Sequence, residues 1–158
     1  MPGTVKPIPE GYHTATPYLV VHDAAKAIDF YKRALDAREI MRMEGPPGKI
    51  GHAEIRIGDS VIMLSDDMGQ AGTKSPHTLG ATTAGIFLYV NDVDASYQKA
   101  VSAGARAGNP PSDMFWGDRF GQLTDPFGHS WSIATHKEDV PPDQMKTRME
   151  AFLKQQKK

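Results

Sequence analysis

The chain has 158 residues with 39% hydrophobic and 23% charged side chains, which fits one globular domain or two small modules sharing a core. Its 18 lysines and arginines nearly balance 19 aspartates and glutamates, which argues against a nucleic acid or a membrane as partner, because both require a concentrated basic surface. The absence of cysteine excludes disulfides, thiolate metal sites and a cysteine nucleophile.

Residues 1–12 are expected to form an extended leader. This stretch contains three prolines and no apolar run, so it matches neither a signal peptide nor a membrane anchor. We therefore expect a cytoplasmic protein.

Residues 13–67 predict a strand, a helix and three further strands. The β-rich run 16–21 precedes Asp23, a residue type that caps helices, and apolar side chains then recur at helical spacing. These apolar residues are Ala24, Ala27, Ile28, Tyr31 and Leu35. The further strands are expected at 38–43, 50–57 and 58–64.

The same order of elements returns 69 positions later. Asp92 stands in the second half where Asp23 stands in the first, and Ile133 stands where Leu64 does. The strands of this half are expected at 85–90, 106–108, 119–124 and 127–133. Residues 83–137 thus form a second predicted module, and the repeat predicts an α+β fold of two tandem βαβββ modules.

Two segments lie outside the repeat. Residues 68–82 are rich in glycine, serine, threonine and aspartate without periodicity, which predicts a linker or a mobile loop. Residues 138–158 predict a C-terminal amphipathic helix, which we expect to dock on its own domain or on a dimer mate. Its apolar face carries Met145, Met149, Phe152 and Leu153.

A tight turn is predicted at Asp125-Pro126-Phe127-Gly128, because proline presets φ and glycine tolerates positive φ. The turn would fix the register of the last strand, where a slip by one residue exchanges the two faces. We expect an architectural role, so that replacing Asp125 or Pro126 by alanine impairs folding more than ligand binding.

Four stretches cover most of residues 13–137 and carry a family resemblance. They read PYLVVHDAAKAIDFYKRAL, HAEIRIGDSVIMLSD, IFLYVNDVDASYQKAVSAGA and WGDRFGQLTDPFGHSWSIATH. Together they resemble the vicinal oxygen chelate superfamily, also called the glyoxalase/bleomycin-resistance/dioxygenase family, and within it the PhnB-like and glyoxalase-like members. The resemblance implies two modules whose curled, mixed sheets surround a cavity, often completed by a homodimer.

Metal-dependent members of this superfamily place four ligands on the first and last strands of each module. In this sequence the corresponding positions are Thr16, Met63, Gly85 and Ser132, which keep the 69-residue offset. None is a histidine or a carboxylate, and methionine sulfur is a poor ligand for the hard divalent ions of an oxygen-rich site. We therefore expect no metal site of the usual kind and no cofactor.

His52 and Glu54 are the candidate catalytic residues. They are two positions apart on a predicted strand, so their side chains share a face. They could form an acid–base pair or two ligands of a displaced metal site; the alternative is a structural hydrogen-bonded pair on a polar face. The other histidines, His13, His22, His77, His129 and His136, are expected at turns or on the surface.

Ligand-binding residues are expected at two places. The first is a cluster in which aromatic rings surround an acid and a base, Trp116, Asp118 and Arg119 among them. Its alternative is an Asp118–Arg119 pair that ties down a loop while the rings fill the core. The second is the cavity wall, with Tyr18, Met63, Phe87 and Tyr89. Trp131 has the opposite parity to Ser132 and is expected in the core.

These features rank two functions first. One is a homodimeric, metal-free protein that binds a planar or amphipathic small molecule, as in ligand sequestration or drug resistance. The alternative is a glyoxalase-like lyase, isomerase or dioxygenase that uses a displaced metal site or His52 and Glu54. A third, held in reserve, is a fold that serves only as a partner-binding surface.

Overall fold

The computed structural model describes residues 5–69 and 73–156. The first module contains one helix packed on a four-stranded sheet of order β1-β4-β3-β2, in which β1 is parallel to β4 and the other pairs are antiparallel. Its elements are β1 (Tyr18–Val21), α1 (Ala24–Leu35), β2 (Arg38–Glu44), β3 (Ile50–Ile57) and β4 (Ser60–Asp66). A short helix, α2 (Pro76–Leu79), follows in the connection.

The second module repeats this plan with the strand order β5-β9-β8-β6 and a further short strand on β8. Its elements are β5 (Gly85–Tyr89), α3 (Val93–Ala103), β6 (Arg106–Ala107), β7 (Ser112–Asp113), β8 (Asp118–Thr124) and β9 (Ser130–His136), and the chain continues into α4 (Pro142–Gln155). The predicted α+β fold with two modules and a C-terminal helix is confirmed. Within residues 5–69 and 73–156 no strand of one sheet pairs with the other, so the sheets do not close into a barrel.

The helices begin where the sequence places their caps, and they bury one shared core. The Asp23 carboxylate accepts a hydrogen bond from the Lys26 amide at 3.1 Å, and Asp92 accepts one from the Ala95 amide at 3.0 Å. Helices α1 and α3 pack against each other, and their apolar faces meet the inner faces of both sheets. Trp131 lies fully buried in this core, as its parity predicted.

The turn before β9 ties the two modules together. One oxygen of the buried Asp125 carboxylate accepts hydrogen bonds from the amides of Phe127 and His129, both at 2.9 Å. The other oxygen accepts from the Tyr31 hydroxyl at 2.6 Å and from Trp131 Nε1 at 2.8 Å. Since Tyr31 belongs to α1, the turn anchors the first module as well as the last strand.

The connection between the modules is more ordered than a linker without periodicity would be. Its helix α2 is capped by Ser75, and Asp67 accepts hydrogen bonds from the Ser75 amide at 2.8 Å and the Thr78 hydroxyl at 2.7 Å. These contacts hold α2 at the end of the first module, where it packs beside β1. Parts of the expected leader, linker and C-terminal helix lie outside the described residues: 1–4, 70–72 and 157–158.

No helix within the described part of the chain combines the length and apolarity needed to cross a bilayer. The cytoplasmic location stays a prediction.

Candidate functional site

The candidate residues of the first module lie on the open face of its sheet, meaning the face turned away from the helices. Tyr18, Met63 and Glu54 form one row across β1, β4 and β3, because the register pairs Tyr18 with Met63 and Met63 with Glu54. Their strand neighbours Leu19 and Leu64 are buried on the helix side. The alternation of strand residues therefore places the predicted wall residues Tyr18 and Met63 on the same face as the predicted acid Glu54.

A chain of hydrogen bonds runs along this open face. His52 lies 3.1 Å from the Tyr18 hydroxyl through Nδ1 and 3.1 Å from Glu54 Oε1 through Nε2, while the Tyr12 hydroxyl donates to Glu54 Oε2. Burial raises the pKa of Glu54, which is 6% exposed, but the hydrogen bonds from Tyr12 and His52 outweigh it and lower that pKa overall. Because ionised Glu54 only accepts, Nε2 of His52 is the donor in that contact, which leaves Nδ1 to accept from the Tyr18 hydroxyl.

The leader covers this polar chain. Besides Tyr12, the Gly11 carbonyl oxygen lies 3.3 Å from a guanidinium nitrogen of Arg56, and the His13 ring lies 3.4 Å from the Asp59 carbonyl oxygen. Sequence reasoning missed Tyr12, since a contact across 42 positions leaves no periodic signal. The predicted pair His52 and Glu54 is thus brought together, with Glu54 beneath the leader.

The open face of the second sheet carries an aromatic surface, which we define as Phe87, Tyr89, Trp116 and Phe120. Phe87 stacks on Phe120 with ring centroids 5.7 Å apart, and Trp116 meets Phe120 edge-on at 5.6 Å. Phe87 and Tyr89 alternate on β5 with residues that pack on the core, and they remain 47% and 65% exposed. Two aromatic side chains are therefore available on this face, held by two others.

Asp118 anchors the edge of the aromatic surface. Its carboxylate is 4% exposed and accepts hydrogen bonds from Tyr89 Oη and Trp116 Nε1, each at 3.0 Å, and from His136 Nδ1 at 2.8 Å. Burial raises the pKa of Asp118, but these three hydrogen bonds outweigh it and lower that pKa overall. Asp118, Trp116 and Tyr89 thus form one cluster, which joins residues expected at two separate places, the aromatic cluster and the cavity wall; ligand binding by them stays a prediction.

His136 also belongs to this cluster, and it lies at the exposed end of β9, in keeping with the expected surface position. The register pairs it directly with Asp118 across β8 and β9, and its second nitrogen lies 2.9 Å from Asp139. Both contacts raise the pKa of His136 above its ordinary value, the bond to Asp118 most. The signal that could have found it is the strand pairing after the predicted turn, which sets Asp118 and His136 opposite each other.

Arg119 does not join this cluster. Consecutive strand residues point to opposite faces, so Arg119 lies on the helix side while Asp118 lies on the open side. Its guanidinium binds both carboxylate oxygens of Asp94 at 2.7 and 2.8 Å and contacts Asp113 at 3.2 Å. The loop-tying Asp118–Arg119 pair does not form either; Arg119 instead joins α3 to β7.

Two cavities follow the seam between the sheets. The larger, which we call the intermodule groove, has a volume of about 720 Å³ and is lined by Phe87, Tyr89 and the turn of residues 57–60. The other, of about 450 Å³, is lined by Tyr18, Gly85 and neighbouring residues. Of the predicted wall residues, Phe87 and Tyr89 line the first of these cavities, Tyr18 lines the second, and Met63 lines neither.

The family's metal positions do not fit a metal. Met63 pairs with Tyr18 and Glu54, and Ser132 pairs with Phe87 and Gln122. The one carboxylate beside these last-strand positions, that of Glu54, is already hydrogen-bonded to Tyr12 and His52. A thioether, two hydroxyls and a glycine cannot replace histidine and carboxylate ligands. Nor do residues 5–69 and 73–156 contain another group of three or more histidine, aspartate or glutamate side chains placed to hold an ion.

Comparison with known proteins places this architecture in a family. Residues 12–133 match the family model of the glyoxalase/bleomycin resistance protein/dioxygenase superfamily. An uncharacterised protein of Mycobacterium bovis is 47% identical over 137 residues, covering 85% of this chain and 90% of its own.

Two solved structures show the same fold at low identity. A putative 3-demethylubiquinone-9 3-methyltransferase of Bacillus cereus, a PhnB protein, has a TM-score of 0.58 with 18% identity, covering 78% of this chain and 99% of its own. The fosfomycin resistance protein FosX of Mesorhizobium loti has a TM-score of 0.57 with 17% identity, covering 81% and 93%. The chain belongs to the glyoxalase/bleomycin resistance protein/dioxygenase superfamily.

Proposed function

We propose that the protein binds a planar small molecule in the intermodule groove, against the aromatic surface and without a divalent metal. The observation that carries this proposal is the exposure of Phe87 and Tyr89, 47% and 65%, on rings that line the groove. Phe120 supports one ring by stacking and Asp118 holds the other through its hydroxyl. A surface already held in place loses little conformational entropy when a ligand stacks on it.

The lining of the groove favours a neutral or cationic ligand. Asp36, Asp59 and Asp92 line it, and no lysine or arginine does. Asp36 is paired with Lys99, whereas Asp59 and Asp92 take part in none of the ion pairs found among the described residues. An anion would meet these two carboxylates, whereas a cation gains from them and from the faces of the rings. The volume of about 720 Å³ lies within the range of about 300–1,000 Å³ typical of small-molecule sites.

Ligand sequestration, as in drug resistance, is the form of binding we propose. A sequestering protein needs affinity but no reactive centre, and the four metal positions offer no donor set for one. The similar fold of FosX, a fosfomycin resistance protein, supports this direction without fixing the ligand.

We propose that the protein acts as a homodimer. The open faces expose large apolar side chains on both modules, with Tyr18 at 49% and Met43 at 56% on the first sheet. A second copy that covered these faces would remove apolar area from water and enclose the groove. Light scattering on the purified protein tests this, and a monomer at micromolar concentration would contradict it.

An enzyme is the second candidate, favoured by the hydrogen-bond chain on the first sheet. With ionised Glu54 fixing the Nε2 proton of His52, Nδ1 accepts the proton of the Tyr18 hydroxyl. Tyr18 also lines the 450 Å³ cavity, so its hydroxyl would exchange a proton with a substrate there while His52 serves as the base behind it. The substrate would carry an acidic C–H or O–H group.

Dye titration of tag-free protein tests the binding proposal. Acridine orange, a planar cation, is expected to bind more tightly than the anionic dye ANS, with the same Kd in EDTA. Phe87→Ala is expected to raise the Kd for acridine orange about ten-fold, since loss of one stacked ring costs about 0.5–1.5 kcal/mol beyond its buried area. Leu153→Ala on α4, at a side chain 49% exposed, is the matched control and should change nothing.

Two results would contradict the proposal. Equal affinity for both dyes would contradict the expected preference of the groove for cations. Dye binding that EDTA abolishes would show that binding requires a metal ion. The second candidate, an enzyme, is tested by following the incorporation of deuterium into dihydroxyacetone in heavy water by NMR. Exchange that is faster with the wild-type protein than with Tyr18→Phe would favour catalysis, and equal rates would argue against it.

A further inference from the structure

A separate cavity lies where the modules meet behind α2. This junction cavity has a volume of about 440 Å³ and is bordered by the end of β1, by α2 and by the turn before β9. Among its lining residues are His22, His77 and Arg106, with apolar walls from Pro76 and Phe127. No aspartate or glutamate lines it, so its charge preference is opposite to that of the intermodule groove.

The approach of α2 to the turn requires a glycine. Gly128 has a φ of +90°, and a Cβ at this position would lie 2.7 Å from Pro76 Cβ. Any other residue would push α2 away from the turn. The cavity is thus formed by a close contact that the sequence specifically permits.

His22 is one of the residues that line the junction cavity. Its Nδ1 is the one buried side-chain polar atom without a partner in the described part of the chain. The ring is held between His77 and Phe127, with centroids 4.6 and 5.4 Å away. A proton on Nδ1 would be a buried, unpaired N–H, which is costlier than a buried lone pair, so neutral His22 carries its proton on the accessible Nε2.

Arg106 brings an uncompensated charge to the same cavity. Three other arginines form ion pairs: Arg42 with Glu39, Arg119 with Asp94 and Arg148 with Glu138. Arg106 takes part in none of the ion pairs found within residues 5–69 and 73–156. Its planar guanidinium can form two parallel hydrogen bonds with a carboxylate or a phosphate.

We propose that the junction cavity binds an oxyanion, the carboxylate or phosphate group of a small metabolite. Arg106 supplies the charge and the paired donors, His22 Nε2–H and the His77 ring supply further donors, and Phe127 contacts the apolar part of the ligand. Because His22 belongs to the first module and Arg106 to the second, a bound anion joins the modules. This site is independent of the ligand proposed for the intermodule groove.

Thermal unfolding with two probe anions tests the site. Potassium phosphate and sodium acetate are each compared with potassium chloride at equal ionic strength and pH, and calorimetry gives the Kd. At least one probe should raise the melting temperature above that in chloride, and which one does so distinguishes a phosphate from a carboxylate ligand. Arg106→Gln should raise the Kd about ten-fold or more, as expected when one charge-assisted donor pair is lost.

Matched variants separate binding from folding. Arg33→Gln removes an exposed arginine of α1 and should retain the anion effect in full. Arg106→Lys keeps the charge but loses the paired donors, so its affinity should fall between wild type and Arg106→Gln. Equal stabilisation of wild type and Arg106→Gln, or no effect of either anion beyond chloride, would overturn the proposal. Acridine orange binding should be the same in all three, which keeps this test apart from that of the groove.

Discussion

Replacement of Asp125 by alanine is expected to be among the most destabilising single changes in this protein, without weakening ligand binding per folded molecule. The carboxylate accepts four hydrogen bonds from two backbone amides and two ring donors. The methyl group of alanine accepts none. The Tyr31 hydroxyl and the Trp131 indole N–H would then lack an acceptor in a core where both residues are 0% exposed.

The expected loss of stability follows from the number of hydrogen-bond donors left without an acceptor. An unpaired donor in a protein interior costs about 1–3 kcal/mol, so the two ring donors alone imply about 2–6 kcal/mol. Of the two turn amides, that of Phe127 is buried and that of His129 is partly buried, and water that enters the space of the lost carboxylate can satisfy some of the four donors. We expect a loss of about 3–4 kcal/mol in the free energy of unfolding, a large part of the roughly 5–15 kcal/mol that stabilises a typical domain.

Urea unfolding followed by circular dichroism measures this loss, because the fluorescence of Trp131 itself changes when its partner is removed. Tyr31→Phe removes only one donor and leaves Asp125 with three, so its loss should be about 1 kcal/mol. Asp29→Ala, at an exposed aspartate of α1, is the control for charge removal. A loss below about 1 kcal/mol for Asp125→Ala would refute the reasoning, as would unchanged stability with lost dye binding.

Three further changes test other contacts. Gly117→Ala should cost at least about 2 kcal/mol in urea unfolding, because φ is +99° and a Cβ would collide with a main-chain carbonyl after β9. His136→Gln should lower the melting temperature more at pH 5.5 than at pH 8.5. The pKa of His136 is higher in the folded than in the unfolded protein, so its contact with Asp118 stabilises the fold fully below the pKa of the unfolded state. This stabilisation is lost as the pH rises through the pKa of the folded state. Tyr12→Phe should expose the leader to limited proteolysis without changing global unfolding, because Glu54 loses a donor.

Local pattern and repetition were sufficient to predict the framework. Asp23 and Asp92 cap the two predicted helices, and strand parity placed Trp131 in the core and Phe87 and Tyr89 on the other face. These features depend on residues a few positions apart, and an alternating strand leaves only two choices for each side chain. The same parity would have excluded Arg119 from the site once Asp118 was assigned to it.

The contacts between distant segments could not be predicted from the sequence. Tyr12 reaches Glu54 across 42 positions. Helix α2 has four residues, too few to show a helical period, and its position depends on hydrogen bonds to Asp67. In each case the signal is a tertiary contact, which no local pattern contains.

The polar clusters on the two open faces use residues at different positions of the repeat. This difference between the modules is the reason we place ligand binding on the second one. Glu54 pairs with Met63 and Gln122 pairs with Ser132, and since Met63 and Ser132 keep the 69-residue offset, Gln122 is the counterpart of Glu54. The acid of the first cluster, Glu54, therefore has no acidic counterpart in the second module.

The two faces also differ in access. On the first sheet the leader caps the acidic end of the cluster and leaves Tyr18 as its exposed group. On the second sheet the buried acid, Asp118, holds a tyrosine whose ring remains 65% exposed beside Phe87. A buried carboxylate that accepts three hydrogen bonds positions side chains but has little capacity left to take a proton. The geometry of the second face thus suits recognition, and proton transfer, if the protein performs it, belongs to Tyr18 and His52 on the first.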